Sequence, residues 1–533
     1  MPLPHSDYDR WRSGPPSPAV NPVLRMLHDA QNDPSGSLTK GLSRTVNRAV
    51  WGNKAVRWIV FLTLAWWLVA FVGLTSNPTA AGPLFIAIVA PVVYYRRWVK
   101  RRARAQRVAA EQASTVAVAA SPRIGAVTGP GVLLGRSDAG AVVSASAEES
   151  VLIVGPPRSG KSRGLYLPAL RHWDGSVVAT STKADLWEAT RSLRRGRSVL
   201  FDPFVMNSDR TDCVRWSILA GCEVPRVAIG RADALAVDNK KGGQNDEFWR
   251  GNAVALNRAL LHAAAVEHLP VTAMLRWLSR GAFDEPAAIL DAGATDWGDV
   301  LRQLTEMAPE TRESVLVTAR RCFDALDVPE VRDAVAVDEI DVRSLLAEAG
   351  TVHLIGPARY QRLAAPVLAA LVDWIVEVAL SEAVRQGGRL DPPLLLALDE
   401  VANIAPLPSL PSLCSEGGGQ GVVPLLALQS WAQARERWGR DGAEALFAAS
   451  NAKLILGGAT SSEDLEGLSR AVGDYDAVRY THSTSMDAGT SSTMERRRIL
   501  PPEAIRQLPV GRALLLHGHH EPMLVTLPGN AGL

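Results

Sequence analysis

The chain has 533 residues, of which 47% are hydrophobic and 21% charged, with 57 lysines and arginines against 55 acidic residues. This composition excludes a disordered or collagen-like protein. The length exceeds what one hydrophobic core supports, so we expect more than one folded unit. The 4 cysteines are widely spaced and match neither a zinc site nor a disulfide framework, which is typical of a protein in a reducing cytosol.

The N-terminal part of the chain changes abruptly from polar to apolar. Residues 1–56 are rich in proline, serine and arginine and predict a cytosolic tail. The apolar segments 58–74 and 80–95 are each near the lower end of the ~17–25 residues that cross a bilayer. Basic residues flank the pair on both sides, so we expect a two-helix transmembrane hairpin over residues 57–95 with both chain ends in the cytoplasm. Two buried core helices are the alternative, and the basic segment 96–120 is interpreted as a linker.

Residues 151–162 read VLIVGPPRSGKS, an apolar run followed by the full G-x-x-x-x-G-K-[ST] phosphate loop. Such a loop points successive backbone N–H groups at the β-phosphate of a nucleotide, and the helix that follows adds its N-terminal dipole. We expect Lys161 to contact the β- and γ-phosphates as a catalytic residue and Ser162 to bind Mg²⁺. The predicted nucleotide-binding residues are Gly155, Pro156, Pro157, Arg158, Ser159, Gly160, Lys161 and Ser162.

Two acidic residues follow a second apolar run, residues 394–398. A buried parallel strand is expected there, and doubly wound sheets bind their ligands at the carboxyl ends of such strands. We expect Asp399 to hold Mg²⁺ through water and Glu400 to act as the general base on the attacking water, with ATP and Mg²⁺ as cofactors. Gln429, after the apolar run 422–428, is a third catalytic candidate. The alternative for Gln429 is a strand-end residue bonded to backbone.

The order of apolar and amphipathic segments predicts an α/β protein with a mostly parallel sheet. Strand-like runs alternate with helices in residues 121–205 and return in residues 350–533. Between them, residues 206–349 show the periodicity of amphipathic helices. We therefore expect one nucleotide-binding α/β domain, formed by the two outer segments, with an all-α domain inserted into it.

Several stretches together resemble the type IV secretion coupling proteins, the TraG/TraD-like membrane ATPases of conjugation. In the family's order they are the membrane hairpin, GPPRSGKS, STKADLWEAT with FDPF, the helical insertion, LALDEVANIAPLPSLPSLCSEGGGQGV, and LQSWAQ before NAKLILGG and LSRAVG. The resemblance spans residues 57–530 and is most specific over residues 399–429. It implies a RecA-like P-loop ATPase that forms a homo-hexamer on the cytoplasmic face of the cell membrane. It also implies binding of single- or double-stranded DNA and delivery of a relaxase-bound strand, or of effector proteins, to a secretion channel.

Other functions remain open at this stage. A nucleotide-switched docking receptor for secreted proteins would use the helical insertion to recognise its partners and would pump little DNA. A membrane-anchored P-loop pump unrelated to secretion, as in chromosome segregation, would be distinguished by a winged-helix module that reads DNA. A ring motor also needs an arginine from the neighbouring subunit. The sequence leaves four candidates for it, namely Arg435, Arg437, Arg440 and Arg470.

Overall fold

The computed structural model describes residues 131–205, 212–237, 246–293, 295–459, 461–482 and 490–532. The chain divides into two units, Met1–Gln112 and Ala113–Leu533, and all described residues belong to the second. The predicted tail, transmembrane hairpin and basic linker lie outside the described residues and stay predictions.

Thirteen strands occur in the described part of the chain. They are β1 (Gly131–Ser137), β2 (Val142–Ser146), β3 (Val151–Val154), β4 (Val177–Ser181), β5 (Ser198–Phe201), β6 (Thr351–Ile355), β7 (Leu394–Leu398), β8 (Val422–Leu428), β9 (Ala452–Leu456), β10 (Asp474–His482), β11 (Thr490–Arg498), β12 (Arg512–His517) and β13 (Met523–Thr526). Eleven of them form one sheet in the order β2-β1-β13-β12-β9-β3-β8-β7-β4-β6-β5, and β10 pairs with β11 separately.

Seventeen α-helices connect or cover these strands in the same part of the chain. They are α1 (Leu167–His172), α2 (Asp185–Thr190), α3 (Pro225–Leu235), α4 (Asp246–Val266), α5 (Val271–Arg280), α6 (Asp284–Asp291), α7 (Trp297–Glu306), α8 (Pro309–Arg321), α9 (Pro329–Ala334), α10 (Val342–Ala347), α11 (Gln361–Arg385), α12 (Val401–Ile404), α13 (Leu410–Ser412), α14 (Trp431–Ala449), α15 (Ser462–Val472), α16 (Pro502–Arg506) and α17 (Pro528–Ala531).

The central strands are apolar throughout because both faces of the sheet are covered. Every residue of β7 and of β8 is buried. Alternate residues of β3 enter different apolar clusters: Leu152 and Val154 belong to one, Val151 and Ile153 to the other. This is the pattern of parallel strands that are buried on both faces, which show continuous apolar runs instead of alternation.

Helix α11 is long and apolar enough to span a bilayer, alone among the helices of the described ranges, but most of it is buried inside the protein. It packs against α3 and α12 and contacts β8. Its apolar surface is therefore covered by the fold itself.

Eight helices, α3 to α10, lie in sequence between β5 and β6, although these two strands are hydrogen-bonded neighbours in the sheet. Their buried side chains belong to the same apolar cluster as one face of the sheet. The helical segment thus leaves the sheet after β5, packs against it, and returns at the adjacent strand.

The expected mostly parallel sheet is confirmed for seven neighbouring strands, from β9 to β5, and the remaining four are antiparallel. The sequence does not predict three antiparallel hairpins, β1–β2, β10–β11 and β12–β13, and of their six strands only β12 was expected. The second hairpin reads DYDAVRYTH and TSSTMERRR, which lacks the apolar alternation of a half-buried strand. Short ribbons of this kind leave too weak a hydrophobic pattern to be recognised.

The Arg194 side chain joins the starts of two strands in the sheet. Its guanidinium is half-buried, and this desolvation lowers the pKa of the group. It donates to the carbonyl oxygens of Leu170, Trp173, Gly175 and Ala349 and to the hydroxyl of Thr351. These acceptors precede β4 on one side and begin β6 on the other. One cation therefore satisfies carbonyl groups that the strands and helices leave unpaired.

We expect Arg194→Met to destabilise the protein by about 3 kcal/mol, because several backbone acceptors would lose a charged donor while the apolar stem is kept. The exposed neighbour Arg195 provides a matched control. Arg195→Met should change the stability by less than about 0.5 kcal/mol. Thermal unfolding followed by circular dichroism measures both, and equal midpoints for the two variants would contradict the assigned role.

Candidate functional site

The loop between β3 and the next helix lies between two neighbouring strands at the carboxyl edge of the sheet. The Gly155 N–H donates to the carbonyl of Leu428 at 3.0 Å. A Cβ at Gly155 would lie 2.7 Å from the Cβ of Leu456, so no larger residue fits without displacing that strand. Gly160 has φ of +94° and Arg158 φ of +64°, in the left-handed region. The backbone is thus bent into a tight arch.

Lys161 is buried beneath this arch. Its Nζ donates to the carbonyl oxygens of Gly155 at 2.6 Å and Pro156 at 3.0 Å. Desolvation lowers the pKa of the ammonium group, and the charges of Asp399 and Glu400 oppose that shift. The buried Ser159 hydroxyl has no hydrogen-bond partner within the described residues. A poorly solvated cation and an unpaired buried hydroxyl in the same loop are donors suited to a phosphate group.

Helical structure begins directly after the loop, but with a wider turn than the sequence predicts. Ser162–Tyr166 forms one π-helical turn, and α1 continues from Leu167. The fully buried Tyr166 hydroxyl donates to the carbonyl oxygens of Leu398 at 3.0 Å and Leu425 at 3.3 Å. Burial raises the pKa of this phenol well above its ordinary value. Tyr166 thereby fixes the helix start against β7 and β8, a role that no sequence pattern predicts.

The two predicted metal ligands are in direct contact, although 237 residues separate them in sequence: Ser162 Oγ donates to Asp399 Oδ2 at 3.0 Å. Thr180 Oγ1 holds the Asp399 backbone oxygen at 2.8 Å. Burial raises the pKa of the Asp399 carboxyl group, whereas Lys161 and the Ser162 hydrogen bond lower it. A hydroxyl and a carboxylate are oxygen ligands of the type that Mg²⁺ prefers, and the ion usually keeps several waters besides. These residues therefore fit the predicted ion.

Glu400 lies at the first turn after β7, in a left-handed backbone conformation with φ of +49°. Its Oε2 accepts a hydrogen bond from Gln361 Nε2 at 3.0 Å. Gln361 is not among the site residues that the sequence predicts. The only available signal was its position, a few residues beyond the apolar strand β6 and therefore at the same edge of the sheet.

Gln429 lies one residue beyond β8, and the preceding Leu428 is bonded to the phosphate loop. The Gln429 N–H donates to Oε1 of Gln433 at 3.0 Å. The structure thus places Gln429 beside the loop, and its catalytic role stays a prediction.

The candidates for an arginine acting on a neighbouring subunit differ in their surroundings. Arg435 forms an ion pair at 3.1 Å with Asp464, whose side chain is only 12% exposed. Arg440 and Arg470 form more exposed pairs one helical turn away, with Glu444 at 3.3 Å and Glu466 at 3.7 Å, and the Arg440 side chain is 81% exposed. Arg435 is therefore committed to a contact within its own chain, while the choice among the other candidates stays open.

Comparison with known proteins identifies the family. The family described as Type IV secretory system Conjugative DNA transfer matches residues 127–526. The chain belongs to this family. The resemblance noted in the sequence is thus confirmed.

Conjugal transfer protein TraG of Escherichia coli is 27% identical to this chain over 322 residues, which cover 55% of this chain and 50% of TraG. VirD4 of Agrobacterium fabrum is 21% identical over 404 residues, which cover 70% of this chain and 57% of VirD4. The chain spans about half the length of the curated relatives it matches.

Solved structures of the coupling protein TrwB share the fold. The unbound form of TrwBdeltaN70 has a TM-score of 0.56 at 21% identity, covering 76% of this chain and 90% of that chain. TrwB in complex with ADP and Mg²⁺ has a TM-score of 0.53 at 21% identity, covering 72% and 85%. The similarity and the large mixed sheet fit the predicted RecA-like NTPase fold.

If Ser162 and Asp399 hold a divalent ion, Ser162→Ala will weaken nucleotide binding only when Mg²⁺ is present. We expect a loss of about tenfold in affinity with Mg²⁺, equivalent to ~1.4 kcal/mol, and almost no loss in EDTA. Titration with a fluorescent ATP analogue measures both conditions. Ser192→Ala, at an exposed position outside the site, is the control. A loss of equal size with and without Mg²⁺ would contradict the assignment.

Proposed function

We propose that this chain is a membrane-anchored, hexameric ATPase that uses ATP hydrolysis to deliver conjugative single-stranded DNA, bound to a relaxase, to a type IV secretion channel. One observation carries the ATPase assignment: Ser162 contacts Asp399 beside the buried ammonium group of Lys161. Membership of the conjugative DNA transfer family supports DNA as the cargo.

ATP and Mg²⁺ are the proposed ligands. TrwB is solved in complex with ADP and Mg²⁺ and with a non-hydrolysable ATP analogue, which supports the same ligands for a chain of this fold. The donor set of the loop agrees with them, because the buried Ser159 hydroxyl and the Lys161 ammonium group are both suited to phosphate oxygens.

Each residue of the site has its own role in the proposed hydrolysis of ATP. Backbone N–H groups of the loop hold the phosphates, and Lys161 exchanges its carbonyl acceptors for phosphate oxygens. Ser162, and Asp399 through water, would hold the Mg²⁺ ion, which when bound would neutralise charge on the β- and γ-phosphates. Glu400 accepts the proton of the attacking water, and Gln429 orients that water or senses the γ-phosphate.

The proposed domain organisation follows from the position of α3 to α10 between the adjacent strands β5 and β6. The helical segment leaves and re-enters the sheet at neighbouring strands, so it can be inserted without changing the strand order. The proposed units are a cytosolic tail (1–56), a transmembrane hairpin (57–95), a basic linker (96–120), a RecA-like domain (121–205 and 350–533) and an all-α insertion (206–349).

A homo-hexameric ring at the cytoplasmic face of the cell membrane would place each nucleotide next to another subunit. An exposed arginine such as Arg440 or Arg470 could then offset the charge that develops on the γ-phosphate of its neighbour. The membrane anchor rests on the apolar pair of segments in residues 57–95.

ATP hydrolysis by the full-length protein in detergent tests the proposal, measured as phosphate release with and without single-stranded DNA. We expect DNA to raise the rate. Lys161→Ala and Glu400→Gln should each lower it by at least about 100-fold, the usual contribution of a general base or a phosphate-binding cation. Glu348→Gln, which alters an exposed carboxylate far from the loop in sequence, should leave it unchanged.

Tight nucleotide binding without turnover, unaffected by DNA under conditions that assemble the ring, would contradict the motor. That result would favour the alternative of a nucleotide-switched docking receptor for secreted proteins.

A further inference from the structure

The carboxylate of Glu400 is held by a side chain outside the recognised motifs. Gln361 Nε2 donates to Glu400 Oε2 at 3.0 Å, and both side chains are half-buried. The backbone of Glu400 is in the left-handed region, with φ of +49°. Left-handed backbone is uncommon for a glutamate and persists where the surroundings fix the residue. The direction of this carboxylate is therefore set by contacts and not by the local chain alone.

The turn that carries Asp399 and Glu400 is held from two sides. β7 and β6 are the neighbours of β4 on either side. From the end of β4, Thr180 Oγ1 donates to the Asp399 backbone oxygen at 2.8 Å. From beyond β6, Gln361 donates to the Glu400 side chain. Thr180 fixes the backbone of the acidic turn, and Gln361 fixes the side chain that would act on water.

The position of Gln361 depends in turn on an aromatic contact. The ring of Tyr360 stacks on that of Phe204 with centroids 5.1 Å apart and an interplanar angle of 6°. Phe204 lies just beyond β5, on the segment that leads to the helices α3 to α10. The exposed guanidinium of Arg359 lies over the Tyr360 ring, 5.6 Å from the ring centroid. Tyr360, the residue immediately before α11 and before Gln361, is thus tied to the chain where it leaves the sheet for the helical segment.

We propose that Gln361 is a positioning residue: its amide holds the Glu400 carboxylate in the orientation needed to accept a proton from the attacking water, and the stacked Tyr360 and Phe204 hold Gln361 in place. The inference rests on the proposed function, in which Glu400 is the general base. Within the part of the chain that the structure describes, the Gln361 side chain donates to Glu400 and forms no hydrogen bond with the phosphate loop.

The consequence is a specific kinetic signature. Without the amide, the Glu400 carboxylate is free to rotate away from the water, so the chemical step slows. ATP binding is carried by the loop, Lys161 and Ser162, so it should be unaffected. A misplacement of about 1 Å in a catalytic group costs ~100-fold in rate. A loss of one fixing hydrogen bond is expected to cost less, about tenfold, and to appear in kcat alone.

The test compares substitutions at this position in the full-length protein in detergent. Gln361→Met keeps the length of the side chain and removes the donor, and Gln361→Glu keeps the shape and replaces the donor by an acceptor. Both should lower kcat about tenfold or more, with KM for ATP changed less than twofold. Gln361→Lys keeps an N–H donor of similar reach and should retain at least about a third of kcat. Gln303→Met, at an exposed position on α7, is the control.

A second substitution tests the stacked pair. Tyr360→Leu should lower kcat in the same direction as Gln361→Met, by about threefold, again with KM for ATP unchanged. Unfolding midpoints measured for each variant separate a kinetic effect from a loss of folded protein. If Gln361→Met alone reduces the folded fraction, the contrast between Gln361→Glu and Gln361→Lys decides the question.

The outcomes separate the two proposals. If Glu400→Gln abolishes hydrolysis while Gln361→Met and Gln361→Glu turn over like wild type, the positioning role is wrong and the proposed function stands. A rise in KM at unchanged kcat also overturns the positioning role, because Gln361 would then act on nucleotide binding. If Glu400→Gln itself hydrolyses ATP at the wild-type rate, the assignment of the base fails, and the role of Gln361 fails with it.

Discussion

The hydrogen bond between Ser162 and Asp399 is the contact on which the whole site depends. It joins the last residue of the phosphate loop to the first residue after β7, across 237 residues of sequence. The two side chains meet because β8 alone separates β3 from β7 in the sheet, and all three strands run parallel. Their carboxyl ends therefore lie at one edge. Tyr166 strengthens the arrangement by bonding the helix start to carbonyls of β7 and β8.

Burial disfavours the charged forms of Lys161 and Asp399 at this edge of the sheet, and a bound ligand can reduce that free-energy cost. Desolvation lowers the pKa of Lys161 and raises that of Asp399, so burial opposes the charged form of both groups. Each is stabilised mainly by the other and by hydrogen bonds. A nucleotide with a divalent ion would bring opposite charges to both, which supports the proposed ligands. The Gln361 amide fixes the nearby Glu400 carboxylate through a hydrogen bond and adds no charge to this edge of the sheet.

The sequence predicted the parts of the site that are local, and missed those created by tertiary contacts. The phosphate loop and the strand that precedes Asp399 are recognisable because glycine spacing and apolar runs are patterns of consecutive residues. Gln361 and Thr180 reach the acidic turn from beyond β6 and from the end of β4, and no spacing rule connects them to it. The prediction of the fold has the same limit, because it also depends on patterns of consecutive residues. Buried parallel strands were found, whereas the polar hairpin β10–β11 was not.

We propose that Ser162 and Asp399 hold a magnesium–nucleotide complex beside Lys161. The most direct test is a cryo-electron microscopy structure of the full-length protein with Mg²⁺ and a non-hydrolysable ATP analogue. We expect Mg²⁺ at about 2.1 Å from Ser162 Oγ, with a water between the ion and Asp399. We also expect the γ-phosphate within hydrogen-bond distance of Lys161 Nζ. A nucleotide bound elsewhere, or an ion that contacts neither Ser162 nor a water held by Asp399, would contradict the claim.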